Sequence, residues 1–302
     1  MMPPRDSPLS PVRPLPAWAR VHGPVDDVGE AAFLAGAALS GLDQLVRAAP
    51  PWAGAWRQRL ALAAAATTAG LVGRREDAAA IRDAWCWRGP GGDAGPAGRL
   101  FAAWQRLATR APTIDADGMS ALAALLGVPW SDAFADLPRR LAAPATGPAP
   151  LAAAALAGEV LAISAAAGPL AWALADVALA RGLGWPCTVP LLATRADRRA
   201  GTRPADLACR VLVAAARAAA DACRLGTDMA GRADRLLEVA PRLRAKGAAE
   251  VVARLLEEEA LAGTLTTRTL SRWAARRLFD RLSALGAVRE LSGRASFRLY
   301  GL

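Results

Sequence analysis

Alanine supplies most of the apolar residues of this chain, and that choice constrains the fold more than any other feature of the sequence. Hydrophobic residues make up 54% of the 302 positions, yet aromatic residues make up only 5%. Alanine is the best helix-forming residue, and the β-branched residues that favour strands are sparse. The sequence therefore predicts a mainly α protein, long enough for one large or two ordinary domains with buried cores.

Apolar residues recur at helical spacing along most of the chain. Ala32, Leu39, Leu42 and Val46 lie three, four or seven residues apart, so they share one face of a helix over residues 28–47. Similar spacing predicts helices over residues 52–71, 73–85, 99–109, 116–126, 132–141, 151–182, 205–237 and 247–261. We expect an irregular α-helical bundle with no strand before residue 287. The tryptophans predicted for its core are Trp52, Trp56, Trp85, Trp104 and Trp172.

Composition divides the chain into three parts. Residues 1–17 contain six prolines and lack the apolar segment of a signal peptide, so we expect a disordered arm. Residues 18–240 are predicted to form an α-helical domain of unknown function, and residues 241–302 a small winged helix-turn-helix-like domain. The uncharged run over residues 160–175 is too short to span a membrane. We therefore expect a cytoplasmic protein without membrane contact.

The cysteines and the single histidine do not suggest a metal centre. Cys86, Cys187, Cys209 and Cys223 form no C-x-x-C pair, so we interpret them as reduced structural residues. His22 has no second histidine with which to share a metal ion. No nucleophile motif, phosphate loop or metal-ligand spacing is present. The sequence accordingly predicts no catalysis, no cofactor and no metal.

The segment GRREDAAAIRDAW, residues 73–85, carries charges of alternating sign on one side of its predicted helix. We expect these charges to form ion pairs with neighbours one turn away. A catalytic alternative would require several of them to meet Arg217 or Asp221 around one pocket: Arg74, Glu76, Asp77 and Asp83.

Positive charge is concentrated near the C-terminus. Residues 241–302 hold twelve basic and six acidic side chains, so this fifth of the chain carries +6 of the net charge of +10. Concentrated positive charge is typical of proteins that bind polyanions. A solvated basic surface without a partner is the alternative that charge alone leaves open.

The last thirty-two residues carry the most specific pattern. On a helix over residues 270–285, leucines and alanines share one side, while arginines surround Trp273 on the other. The following segments AVREL and SFRLY predict a β-hairpin with Arg294 at its tip. A helix, a basic helix and a hairpin wing occur in this order in winged helix-turn-helix domains. The predicted DNA-binding residues are Arg272, Trp273, Arg276, Arg277, Arg289, Arg294 and Arg298.

This C-terminal segment resembles the winged-helix ends of many Fic-type and related plasmid-borne proteins. The matching residues are Ser271, Ala274, Leu282, Leu285-Gly286 and Ser292-Gly293-Arg294. The sequence departs from that family where a second helix should precede the basic one, because residues 261–269 are short and threonine-rich. The Fic catalytic motif is absent from the chain, so the resemblance does not imply nucleotidyl transfer.

The whole chain is also similar to an uncharacterised bacterial family, domain of unknown function 1403. The similarity lies in the stretches PPWAGAWRQRLAL, GRREDAAAIRDAW, LADVALARGLGWPCTVPLL, APRLRAKGA and FDRLSALGAVRELSGRASFRLYGL. These stretches cover nearly the full length, but the resemblance implies no activity.

Two hypotheses for the C-terminal segment follow. In the first, the basic helix binds double-stranded DNA, with arginines on guanine edges and on phosphates. In the second, the segment is a protein interface, in a scaffold or a homodimer, and Trp273 is its central contact. An exposed tryptophan between arginines suits either hypothesis, whereas an enzyme in the helical trunk has no motif in its support.

Overall fold

The computed structural model describes residues 15–88, 91–144, 147–196, 204–294 and 296–302. The described chain is mainly helical, as predicted, with one small antiparallel sheet near the C-terminus. The helices are α1 (Val28–Ala48), α2 (Ala53–Leu71), α3 (Ala78–Trp87), α4 (Gly95–Ala108), α5 (Ala116–Leu125), α6 (Leu137–Ala142), α7 (Ala149–Ile163), α8 (Gly168–Gly182), α9 (Pro204–Val239), α10 (Ala248–Glu257) and α11 (Arg272–Ala284). The strands are β1 (Leu261–Ala262), β2 (Arg289–Glu290) and β3 (Leu299–Gly301).

Helix α2 lies at the centre of the bundle and is buried on most of its surface. It contacts α3, α4, α8, α9 and α10. Its alanines let these helices approach closely, while its polar groups meet specific partners. Trp56 donates its Nε1 hydrogen to the carbonyl of Ala222 at 3.0 Å, and Thr68 Oγ1 accepts from Trp104 Nε1 at 3.1 Å. The central helix therefore combines dense packing with specific hydrogen bonds to α4 and α9.

The longest contact between helices joins distant parts of the sequence. Helix α1 packs along α9, and α7 packs against both α8 and α9. The buried face of α1 includes Leu34, Leu39, Leu42 and Leu45. Asp27 begins this helix by accepting the backbone N–H of Glu30 at 2.7 Å.

The tryptophans predicted for the core are largely confirmed. Trp52, Trp56, Trp104 and Trp172 are buried, whereas Trp85 is only half-buried. Most of the predicted N-terminal arm, residues 1–14, lies outside the described residues. At its end, Leu15 is buried against α1, so ordered structure begins before the predicted boundary at residue 18.

A buried carboxylate connects α8 to the chain that follows it. Asp176 is 1% exposed and accepts the backbone N–H groups of Leu191, Leu192 and Ala193 at 3.2, 2.8 and 3.3 Å. These residues begin a short 3₁₀ turn inside a segment that the sequence predicted only as a loop. Burial raises the pKa of Asp176 to about 7, although the three hydrogen bonds act in the opposite direction.

The C-terminal sheet has the strand order β1–β3–β2 with both pairs antiparallel. The predicted hairpin is present as β2 and β3. Strand β1 corrects two expectations, because it pairs Leu261 with Tyr300 where the sequence predicted helix and no strand. Helix α10 accordingly ends at Glu257. Residues 263–270, all of them described, contain no helix between β1 and α11.

Among the described helices, none combines the length and apolar character that a bilayer crossing requires.

We predict that Asp176 makes stability depend on pH. In the folded state its raised pKa keeps the proton on the carboxyl group, whereas the unfolded chain loses it near pH 4. The folded state therefore binds more protons between pH 4 and about pH 7, so stability falls as the pH rises. The unfolding free energy of the parent protein minus that of Asp176→Asn should decrease as the pH rises from 4 to about 7, by up to about 1.4 kcal/mol per pH unit.

Urea unfolding at a series of pH values measures this difference. Asp132→Asn is the matched control, because it makes the same change at an exposed position. A pH dependence for Asp176→Asn that does not exceed that of Asp132→Asn would contradict the assignment.

Candidate functional site

Helix α11 is fixed to the body of the protein by its apolar face. Ser271 caps its first turn by accepting the N–H of Ala274 at 3.3 Å. The buried side chains of this face are Ala275, Leu278, Phe279 and Leu282. Phe279 stacks on Tyr300 of β3, with ring centroids 4.8 Å apart and planes inclined by 8°. The helix therefore has one defined orientation relative to the sheet.

The opposite face of α11 presents arginines and one tryptophan to solvent. We call Arg272, Trp273, Arg276 and Arg277 the α11 ridge; all four are exposed, and Trp273 is 64% exposed. None of the three arginines forms an ion pair with another described residue. The guanidinium of Arg272 lies 5.8 Å from the centroid of the Trp273 ring. The ridge is thus an unneutralised cationic surface around an aromatic side chain.

A groove of about 230 Å³ separates part of this ridge from β3. Arg272, Trp273 and Arg276 form its helical side, and Arg298 and Phe297 lie on its other side. Arg298 has Glu290 at 3.7 Å as its carboxylate neighbour. Four of the predicted DNA-binding residues therefore meet around one groove, and Arg277 lies on the adjoining surface of the same helix.

The remaining two predicted residues, Arg289 and Arg294, are exposed and lie beside the trunk. Arg294, at the tip of the hairpin, forms an ion pair with Asp83 of α3 at 2.5 Å. Beside it, Phe297 packs edge-on against Trp87, with centroids 5.2 Å apart. Burial lowers the pKa of Arg59 of α2 and of Arg232 of α9, and the nearby charge of Arg289 acts in the same direction on both. The wing is therefore held against the helical trunk.

A buried cluster of charges, not predicted from the sequence, joins the C-terminal part of the chain to the trunk. We call this part, from the start of α10 to Leu302, the C-terminal unit. Glu259 is 4% exposed and lies between two arginines of the trunk. Arg59 Nε is 2.8 Å from Glu259 Oε1, and Arg82 Nε is 2.9 Å from both carboxylate oxygens. Further donors of the two guanidinium groups reach the carbonyls of Leu302 and Leu291, each at 3.3 Å. Burial lowers the pKa of Arg59 to about 10, which leaves it charged at neutral pH.

These contacts correct the expectation for residues 73–85. Arg82 and Asp83 pair with Glu259 and Arg294 of the C-terminal unit rather than with neighbours on their own helix. Local pairing occurs only near the start of the segment, where Arg74 contacts Glu76. Sequence spacing could not reveal partners that lie about 180–210 positions away.

The structure does not bring together the residues of the catalytic alternative. Asp83 forms an ion pair with Arg294, and Arg74 forms one with Glu76. Asp77 caps α3 by accepting the backbone N–H of Ala80. Asp221 instead pairs with Arg195 and Arg224. In the described part of the chain, no group of three or more histidine, cysteine or acidic side chains could hold a metal ion. The four free cysteines are half-buried or buried, and burial raises the pKa of the Cys86 thiol to about 12.

Residues 6–302 match the family described as protein of unknown function, DUF1403. The chain belongs to this family. The full-length resemblance found in the sequence is thereby confirmed. No curated protein matches the chain. Because the match spans the trunk and the C-terminal unit, the DUF1403 unit includes both the α11 ridge and the charge cluster that positions it.

We predict that Glu259→Gln strongly destabilises this DUF1403 protein. The substitution leaves two largely buried guanidinium groups without a carboxylate, and breaking a buried pair in this way costs about 3–5 kcal/mol. Urea unfolding should show this loss.

Glu258→Gln is the matched control. Glu258, the residue before Glu259, pairs with Arg254 at the surface, so its substitution should lower the unfolding free energy by less than about 1 kcal/mol. Equal stability of the two variants would show that Glu259 does not hold the C-terminal unit in place.

Proposed function

We propose that this DUF1403 protein binds double-stranded DNA through α11 and the adjoining end of β3. The α11 ridge is the observation that carries the proposal. Its arginines have no carboxylate partner among the described residues, so their charge is available to phosphates and base edges. The apolar face beneath is buried, so binding requires no rearrangement of the helix. The proposed function needs no cofactor and no catalytic step.

The order of elements supports α11 as the recognition helix of a winged-helix domain. Helix α10, strand β1, helix α11 and the hairpin β2–β3 follow one another, and β1 adds a third strand to the hairpin. The helix that normally precedes the recognition helix is replaced by the extended segment 263–270. We therefore propose a reduced winged helix, in which α11 and β3 supply the DNA contacts. The resemblance to winged-helix ends of plasmid-borne proteins favours a role in regulation or in plasmid-associated DNA handling.

Each residue of the ridge has a role in this proposal. Arg272 and Arg276 are one helical turn apart, so both can reach base edges in the major groove, where arginine pairs with guanine O6 and N7. Trp273 lies between them and packs against bases or sugars. Arg277 and Arg298 contact phosphates. Arg294 contributes less than the sequence suggested, because it is paired with Asp83.

We predict that Arg277→Ala, which removes a proposed phosphate contact, reduces the salt dependence of duplex binding. Each phosphate contact releases counterions, so losing one should lower the slope of log K against log salt by about 0.9. Fluorescence anisotropy with a labelled mixed-sequence duplex over a series of salt concentrations measures this slope. Arg224→Ala, an exposed arginine of α9 that pairs with Asp221, is the control and should leave the slope unchanged.

We predict a different effect for Trp273→Ala. Because tryptophan carries no charge, its loss should weaken duplex binding at every salt concentration without changing the slope. Trp18→Ala removes an equally exposed tryptophan from the N-terminal end and should not weaken binding. The DNA proposal fails if the parent protein has no salt-dependent affinity for duplex DNA.

Two exposed aromatic side chains favour a second candidate function, that of a protein interface. Trp273 and Phe297 are 64% and 63% exposed and line the same groove. Exposed tryptophan beside arginine is the composition of interface hot spots. Sedimentation equilibrium of the parent protein and of Trp273→Ala tests self-association through this groove. A dimer that the substitution dissociates, together with no duplex affinity, would replace the first candidate by the second.

A further inference from the structure

The helical trunk contains a cavity far along the sequence from the α11 ridge. It measures about 810 Å³ and lies between α4, α5, α6 and α8. Ligand pockets of proteins have volumes of about 300–1,000 Å³, so this cavity has the size of a small-molecule site. Nothing in the proposed DNA-binding function uses it.

The floor of the cavity is apolar. Leu107 of α4, Leu122 of α5, Leu141 of α6 and Val177 of α8 line it, and all four are buried. Each side chain comes from a different helix, so the floor is part of the packed core rather than a surface irregularity. An apolar group bound here would move from water into contact with aliphatic side chains, which is favourable.

The rim of the cavity is cationic. Arg106 projects from the last turn of α4 and Arg110 from the chain just beyond it, and neither forms an ion pair with another described residue. Within the described part of the chain, Arg181 of α8 donates to backbone oxygens only, those of Ala142 at 3.1 Å and Pro112 at 3.5 Å. The one acidic lining residue is Asp115, which accepts the N–H of Gly118 at 2.8 Å. Three guanidinium groups thus face one carboxylate that is already hydrogen-bonded.

We propose that this cavity binds an amphipathic organic anion, with its apolar body on the leucine floor and its carboxylate or phosphate head between Arg106 and Arg110. Planar guanidinium groups bind such oxygen anions through paired hydrogen bonds. Arg181 adds positive charge while it binds the end of α6 and the chain that precedes α5. This inference is independent of DNA binding, because no residue of the ridge lines the cavity.

Isothermal titration calorimetry with three probes tests the proposal: octanoate, octyl phosphate and octan-1-ol. All three share the apolar body, and only the first two carry an anionic head. We expect the anions to bind at least about tenfold more tightly than the alcohol, since charge-assisted hydrogen bonds form only with them. The tighter of the two anions identifies the preferred head group.

Two variants change anion binding in opposite directions. Arg106→Gln combined with Arg110→Gln should weaken octanoate binding about tenfold or more. Asp115→Asn removes the only acid of the rim, keeps a good helix cap and should strengthen binding, an increase that misfolding cannot produce. Arg99→Gln is the control, because Arg99 lies in α4 but pairs with Asp93 outside the cavity.

The proposal is overturned if neither anion binds. It is also overturned if octanoate and octan-1-ol bind with equal affinity. Unchanged octanoate affinity in both the double arginine variant and Asp115→Asn would place any observed binding outside this cavity and would likewise overturn it.

Discussion

The buried carboxylate of Glu259 is the constraint on which the arrangement of this molecule depends. A lone charge in the interior would be expensive, because water is no longer there to solvate it. Arg59 and Arg82 provide opposite charge from two different helices, and their remaining donors reach carbonyls near the end of the chain. Such contacts have strict geometry, so they allow one way of seating the C-terminal unit on the trunk. Apolar packing of α10 against α2 alone would tolerate sliding.

Further contacts fix the hairpin and the exposed α11 ridge relative to the trunk. The pairs Arg294–Asp83 and Phe297–Trp87 hold the hairpin tip against α3, and the stack of Phe279 on Tyr300 holds α11 against the sheet. A partner would therefore meet a surface whose backbone is already ordered, which lowers the entropic cost of association. The trunk cavity shares one property with the ridge: its arginines are more numerous than the acids that could neutralise them.

What the sequence could predict was local. Helices such as α1 and α2 follow from alanine and leucine spacing within a few turns, and the predicted bounds lie within a residue or so of the observed ones. The division of α11 into a buried and an exposed face follows from the same periodicity. Strand β1 could not be found this way, because two residues have no period and their pairing depends on β3. The partners of Arg82 and the rim of the cavity were equally invisible, since folding alone brings together residues from separate helices.

The pairing of α1 with α9 has a consequence for how the protein is made. The ribosome must add the whole chain between Ala48 and Pro204 before α9 begins to emerge. At bacterial or eukaryotic speeds of about 5–20 residues per second, this takes on the order of 10–30 s. During that interval the leucine face of α1 has not met α9 and remains available for wrong contacts. A chaperone that covered this face would protect the nascent chain until α9 is made.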